Sequence, residues 1–359
     1  MHLIMRFTVG FSVVAAFCAS APEAASGEPA SPEPSEATVI AVATDARLDN
    51  ASGLALSTGG SMMFTLQDAR RSTLIYALDM KGRTAFTVAL PAGGNEDWED
   101  LATATLSSGR RVMMISDTGD AFQVRQAARQ GYRKTFRLIT FDEPKTSTRK
   151  ATGVTIQSFR YPDNATRNVE TLLLQPGTGR PYLVTKTQPP AEGSPGKPGV
   201  TEVWTLPPDP DPASVVVARK VTAGLPVTAA SGGAFSPSGD RLVIRNGLDA
   251  FVWWVEDGDV PGALATEPVK IHLPPQRQGE GVAFTASGHS LIVNSEGVRQ
   301  PLWQVPLPRS ADASAEPSEG GEEPRKAGLG GRLPAAIIAV VMLAGGAGIL
   351  VYKFRTRVR

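Results

Sequence analysis

The chain has 359 residues, with 36 basic and 35 acidic side chains, a formal net charge of +1, 36 glycines, 29 prolines and a single cysteine. A near-neutral balance offers no cationic excess for a phosphate backbone, which excludes a nucleic-acid partner. Cys18 lies in an apolar segment at the start of the chain, so the mature protein has no disulfide, thiolate nucleophile or cysteine metal site.

In chain order, Arg6 precedes an apolar run over residues 7–17 and then the small residues Ala19, Ser20 and Ala21. This is the order of a secretory signal peptide, expected over residues 1–26 with the cut after Ala21 or Ser26. The run is shorter than the roughly 20 residues that a span needs. Residues 27–36 and 309–332 are rich in Pro, Glu, Ser, Ala and Gly and read as a linker and a stalk, with too few large apolar groups to fold. Residues 333–352 are uncharged and apolar, long enough for one transmembrane helix, and Lys353, Arg355, Arg357 and Arg359 make residues 353–359 a basic cytoplasmic tail. The expected location is the cell membrane: a single pass, with the domain between the linkers outside and the C-terminus in the cytoplasm.

That domain, residues 37–308, is all-β by pattern. Short runs of β-branched and aromatic residues, at 62–66, 73–78, 85–90, 112–116, 136–141 and 154–159, are separated by Gly, Pro, Asn, Asp and Ser. Five segments share one outline: a small or acidic residue, an apolar strand, a Gly turn, a second apolar strand and a closing polar residue. They begin at Ser52, Glu99, Glu170, Ser231 and Glu280, at intervals of 47, 71, 61 and 49 residues. With two further strands after each, the pattern predicts a β-propeller of four-stranded blades, five by this count with six left open. Only three strands follow the fifth start, so residues 38–44 are expected to supply the fourth and close the ring.

In a propeller the first strand of every blade lines the central channel. The repeat starts therefore bring Glu99, Glu170 and Glu280 around one axis, with Asp97 and Asp100 beside them. The residues closing the second strands, Asp68, Asp117, Lys186, Arg245 or Asn246, and Glu296, form a neighbouring ring. So many carboxylates require compensation by a cation or by basic groups, because like charges raise one another's pKa. Candidate metal ligands are Glu99, Glu170, Glu280 and Glu296, with Ca²⁺ as the expected ion. Candidate ligand-binding residues are Asp97, Asp100, Asp117, Lys186 and Arg245. Strand-end acids that only cap turns or clamp neighbouring blades are the competing reading.

Four ordered motifs carry a family likeness: Asn95-Glu96-Asp97-Trp98-Glu99-Asp100-Leu101-Ala102; Ile115-Ser116-Asp117-Thr118-Gly119-Asp120; Asn168-Val169-Glu170 with Val184-Thr185-Lys186; and Gln278-Gly279-Glu280-Gly281 with Asn294-Ser295-Glu296-Gly297. The series resembles that of secreted and membrane-anchored bacterial β-propeller proteins described as WD40-like or phytase-like. The last motif is similar to the closing blade of calcium-dependent β-propeller phytases, which implies that Glu280 and Glu296 are calcium-site or phosphate-site residues. The chain departs from the group's pattern after Asp120, where Ala121 and Phe122 replace an Asn and an arginine cluster, with Arg125 and Arg129 further on.

No GxSxG, HExxH or GxGxxG element occurs, and the mature chain has only two histidines, His272 and His289. Trp98 and Trp303 read as blade packing, with Trp98, between Asp97 and Glu99, as an alternative floor of the channel mouth; of the adjacent Trp253 and Trp254, one packs between blades and the other faces the neighbouring blade or solvent. Two functions follow as expectations: a cell-surface binding or scaffold module for an unidentified ligand or protein partner, or a calcium-dependent hydrolase of phosphate or ester bonds.

Overall fold

The computed structural model describes residues 36–68, 72–90, 94–119, 131–187, 199–207 and 211–308. The expected signal peptide, stalk, transmembrane helix and tail lie outside them, as do nearly all the linker and most of residues 122–134. Among the described residues no helix is long and apolar enough to cross a membrane.

The strands form five antiparallel sheets in one repeating order, and the protein is a five-bladed β-propeller. Strand β1 (Thr38–Val42) is the outermost strand of the last blade. Blade one is β2 (Ala51–Leu56), β3 (Met62–Gln67), β4 (Leu74–Asp79) and β5 (Thr84–Ala89). Blade two is β6 (Trp98–Thr105), β7 (Arg111–Asp117), β8 (Phe136–Asp142) and β9 (Thr155–Arg160). Blade three starts with β10 (Val169–Leu174), β11 (Pro181–Thr185) and β12 (Glu202–Thr205). Its loop adds the two-residue β13 (Val216–Val217) in parallel to β9, covering the edge of blade two, before β14 (Arg219–Ala223) completes it. Blade four is β15 (Gly232–Phe235), β16 (Arg241–Arg245), β17 (Asp249–Trp254) and, after the short helix α1 (Val260–Leu264), β18 (Val269–His272). Blade five is β19 (Gly279–Phe284), β20 (Ser290–Ser295) and β21 (Pro301–Pro306), on which β1 pairs with Thr38 opposite Gln304 and Val42 opposite Pro301. The ring is thus closed by the chain's first strand, as the repeat count requires, and the sixth blade left open by the sequence is not formed.

Side-chain alternation along the strands fills the space between blades with apolar layers. Trp98 is fully buried in the core cluster between blades one and two that also holds Phe64, Phe86 and Phe141. Trp253 is buried with Val260 and Leu264 of α1, while its neighbour Trp254 lies on the opposite face toward blade five. The inner strands approach so closely at the axis that a Cβ on Gly281 would fall 2.5 Å from the backbone of Gly53.

The register shows how the repeat starts reach the channel. Four of the five inner pairs carry an irregularity at the start of the first strand. Glu99 lies unpaired between Trp98 opposite Asp117 and Asp100 opposite Ser116, and Glu170 lies unpaired between Val169 opposite Thr185 and Thr171 opposite Val184. Similar shifts fall between Gly279 and Val282 and between Ser52 and Ala55. A bulge re-aims the extra side chain, so the two acids are themselves the bulged residues.

Candidate functional site: an acidic channel mouth

The start of each first strand pairs with the end of the second, which places both predicted rings at one end of the channel. Glu99, Glu280 and Asp97 are buried, and Glu170, Glu296, Asp68 and Lys186 are half-buried. The Lys186 ammonium pairs with Glu170 Oε2, and Asn168 Nδ2 donates to Glu170 Oε1 at 2.8 Å. Gln278 Nε2 donates to Glu280 Oε1 at 2.9 Å. The opposite end of the channel is lined by groups such as Leu56, Thr103, Phe235 and Phe284 around a cavity of about 120 Å³. The channel therefore has one acidic end and one end lined by uncharged residues, Ser57, Thr58 and Ser236 among them.

Crowding of carboxylates sets their protonation. Burial first, then the charges of Glu170, Asp68, Asp97 and Glu280, hold Glu99 well above the usual carboxyl range. Burial and Glu170 push Glu280 up to about 8 against the pull of Lys186. Burial and Asp68 push Glu296 up to about 7. Burial alone would lower the Lys186 pKa, but Glu170, Glu280 and Glu99 outweigh it and hold the ammonium above its ordinary value.

Three of the sequence candidates belong to the wall rather than the mouth. Asp100 is 1 % exposed, and its carboxylate accepts from the amides of Leu101 at 2.8 Å and Leu172 at 2.9 Å and from that of Gly233, tying blade two to blades three and four. Burial raises its pKa, and those amides oppose the rise. Asp117, with no exposed surface, accepts from the Asp97 amide at 3.0 Å and pairs with Arg133 at 2.9 Å and with Arg137. Arg245 is fully buried and donates to the carbonyls of Asn246, Gly281 and Asn294. Burial lowers its pKa to about 10, with Glu280 as a partial counterweight. These three residues were expected to bind a ligand; Asp100 and Asp117 are spent on backbone amides and buried ion pairs, and Arg245 on backbone carbonyls through Nε and Nη1, with its buried Nη2 left without a hydrogen-bond partner. The alternation rule that places strand-end residues at the rim takes no account of how deep each strand end lies.

The site also contains residues that the pattern did not single out. Arg133 is buried and donates to the Gly119 carbonyl at 3.2 Å. Asn294 ties blades five and one, accepting from Gly281 N at 2.6 Å and donating to Gly53 O at 3.1 Å. Gly119 packs directly on the carboxylates of Glu99 and Asp97. Around the mouth, among the described residues, four loops joining second to third strands each expose a large apolar residue: Tyr132 at 62 %, Val200 at 56 %, Leu248 at 67 % and Val298 at 47 %. His272 is exposed and paired with Asp249, away from the mouth's carboxylates.

Fold and site together define a five-bladed propeller with an acidic mouth inside an apolar collar. The chain matches no protein-family model and no curated protein. Among solved structures it is similar to a gluconolactonase from Xanthomonas campestris, at 15 % identity over 72 % of each chain with a TM-score of 0.39. It is also similar to a glucose dehydrogenase, at 11 % identity over 76 % of this chain and 100 % of the other, with a TM-score of 0.43. Neither likeness bears on the chemistry of the mouth.

Proposed function

We propose that the protein is a cell-surface binding module, held by one membrane helix over residues 333–352, whose acidic mouth receives a basic group of a protein partner. The observation that carries this reading is the pairing of the two mouth features. Among the described residues, the carboxylates of Glu99, Glu170, Glu280 and Glu296 are balanced chiefly by Lys186, with Arg277 acting on Glu296, and the loops around them present Tyr132, Val200, Leu248 and Val298. A charged centre inside an apolar rim suits a desolvated ion pair, and exposed apolar groups at equivalent positions in four blades exceed the scatter normal for a surface. The test is a photo-crosslinking residue at Leu248 in the full chain on intact cells, with Met80, exposed at the other end of blade one, as the control. The reading predicts a discrete adduct from position 248 that Glu170→Gln with Glu280→Gln suppresses; no adduct, or the same adduct from position 80, would count against it.

One observation supports hydrolysis of a phosphate or ester instead: Glu280 and Glu296 titrate near neutrality, as a general acid or base must. Turnover of p-nitrophenyl phosphate or acetate that Glu280→Gln abolishes, with the fold intact, would replace the binding reading with this one.

A further inference from the structure

We propose that Asp68, Asp97 and Glu99 bind one divalent cation of the calcium class in the wall of the mouth between blades one and two. One carboxylate oxygen from each lies within 4.8 Å of the other two. Oxygens around calcium sit at about 2.3–2.6 Å from the ion, so a pair on opposite sides is at most about 5 Å apart, whereas magnesium, at about 2.0–2.1 Å, would need them drawn in to about 4 Å. The donors are all carboxylate oxygens, which selects a hard cation over zinc or copper.

The buried acids of this region differ in how they are satisfied, and Glu99 is the exception. Asp100 is saturated by amides, Asp117 by two arginines, Glu170 by Lys186 and Asn168, and Glu280 by Gln278. Glu99 is 7 % exposed, and among the described residues its carboxylate accepts no hydrogen bond and forms no ion pair. A carboxylate removed from water without a partner is costly, and a bound cation is the compensation that the three oxygens are placed to supply.

The surroundings hold these oxygens in place. A Cβ on Gly119 would fall 1.9 Å from Glu99 Oε1 and 2.4 Å from Asp97 Oδ2, so only glycine lets the loop pass against both. That loop is pinned: Gly119 N and Thr118 N each donate to the Asp97 carbonyl at 3.2 Å, and Thr118 Oγ1 donates to Val169 O at 2.8 Å. Glu99 lies in β6 of blade two with Asp97 just before it, and Asp68 directly follows β3 of blade one, so the ion would join two blades.

The test is calorimetric titration of the full chain in detergent with CaCl₂ and with MgCl₂, alongside melting with and without calcium. The proposal expects one calcium per chain, bound more tightly than magnesium. It expects Glu99→Gln and Asp97→Asn to weaken binding by more than about tenfold, the scale on which even outer-shell metal partners act, and Glu280→Gln, whose charge acts on Glu99 only from a distance, to weaken it clearly less. Glu99→Gln removes a buried carboxyl that resists ionisation and has no hydrogen-bond or ion-pair partner among the described residues, so that variant should melt at or above wild type without calcium and gain nothing when calcium is added. Absent saturable binding, binding unchanged in Glu99→Gln, equal loss in Glu280→Gln, or a Glu99→Gln chain that melts below wild type without calcium would each overturn it. Because the partner reading is tested at Leu248 and Glu170, either can fail alone.

Discussion

Glu280→Gln should change how stability depends on pH. The buried carboxyl titrates at about 8 in the folded protein against 4.5 for an unperturbed glutamate. A folded-state pKa above the unfolded one means that the group's contribution is fully present below about pH 4.5 and is lost as pH rises through about 8. At about 1.4 kcal/mol per pKa unit, the shift corresponds to at most roughly 4–5 kcal/mol, and water entry or movement of Lys186 would reduce it. Glutamine still accepts the hydrogen bond from Gln278 but carries no charge. Denaturant unfolding of the full chain, followed by tryptophan emission from pH 4.5 to pH 9 without divalent cations, gives the comparison. Wild type should lose stability relative to the variant across that window, by at least about 1–2 kcal/mol on this scale. Glu296 titrates in both proteins and largely cancels. Parallel curves would refute the reasoning, because Glu280 would then be as easily ionised as in water.

Three further outcomes follow from the geometry. Asp100→Ala leaves the buried amides of Leu101, Leu172 and Gly233 without an acceptor, at about 1–3 kcal/mol each. Relief of the buried charge offsets part of this, so the net loss should be about 3 kcal/mol, seen in melting as a fall of about 5 °C or more. Gly119→Ala places a methyl on Glu99 Oε1 and should weaken calcium binding by more than about tenfold in the same titration that reads Glu99→Gln. Deleting residues 36–42 removes β1 and bares the edge of β21, so the shortened chain should self-associate on light scattering and unfold at lower denaturant than the full chain.

The blade count was legible because each blade repeats the same apolar and turn pattern, and even the closing role of β1 follows from a fifth repeat one strand short. The identity of the axial acids was legible for the same reason, since Glu99, Glu170 and Glu280 all stand at repeat starts. Depth was not. Asp100 and Glu99 are sequence neighbours, yet the bulge at Glu99 turns one carboxylate to the mouth and the other into the wall, and no periodicity reports a bulge in advance. Arg245 fills a second-strand end as Lys186 does, but its guanidinium runs inward to the carbonyls of Gly281 and Asn294. Helix α1 has no signature in the hydrophobic pattern because five residues are too few to show a helical period, although Asp259 caps it and Pro261 opens it. Strand β13 pairs with a different blade from its own, a contact that local pattern does not encode.

The most direct test of an acidic mouth that selects a basic group is calorimetric titration of the full chain with n-pentylamine and, in parallel, with pentan-1-ol. The account predicts that the amine binds and the alcohol does not, that added salt weakens the amine, and that Glu170→Gln with Glu280→Gln removes it. Equal binding of the two compounds, or an amine that binds the double variant as well as wild type, would contradict it.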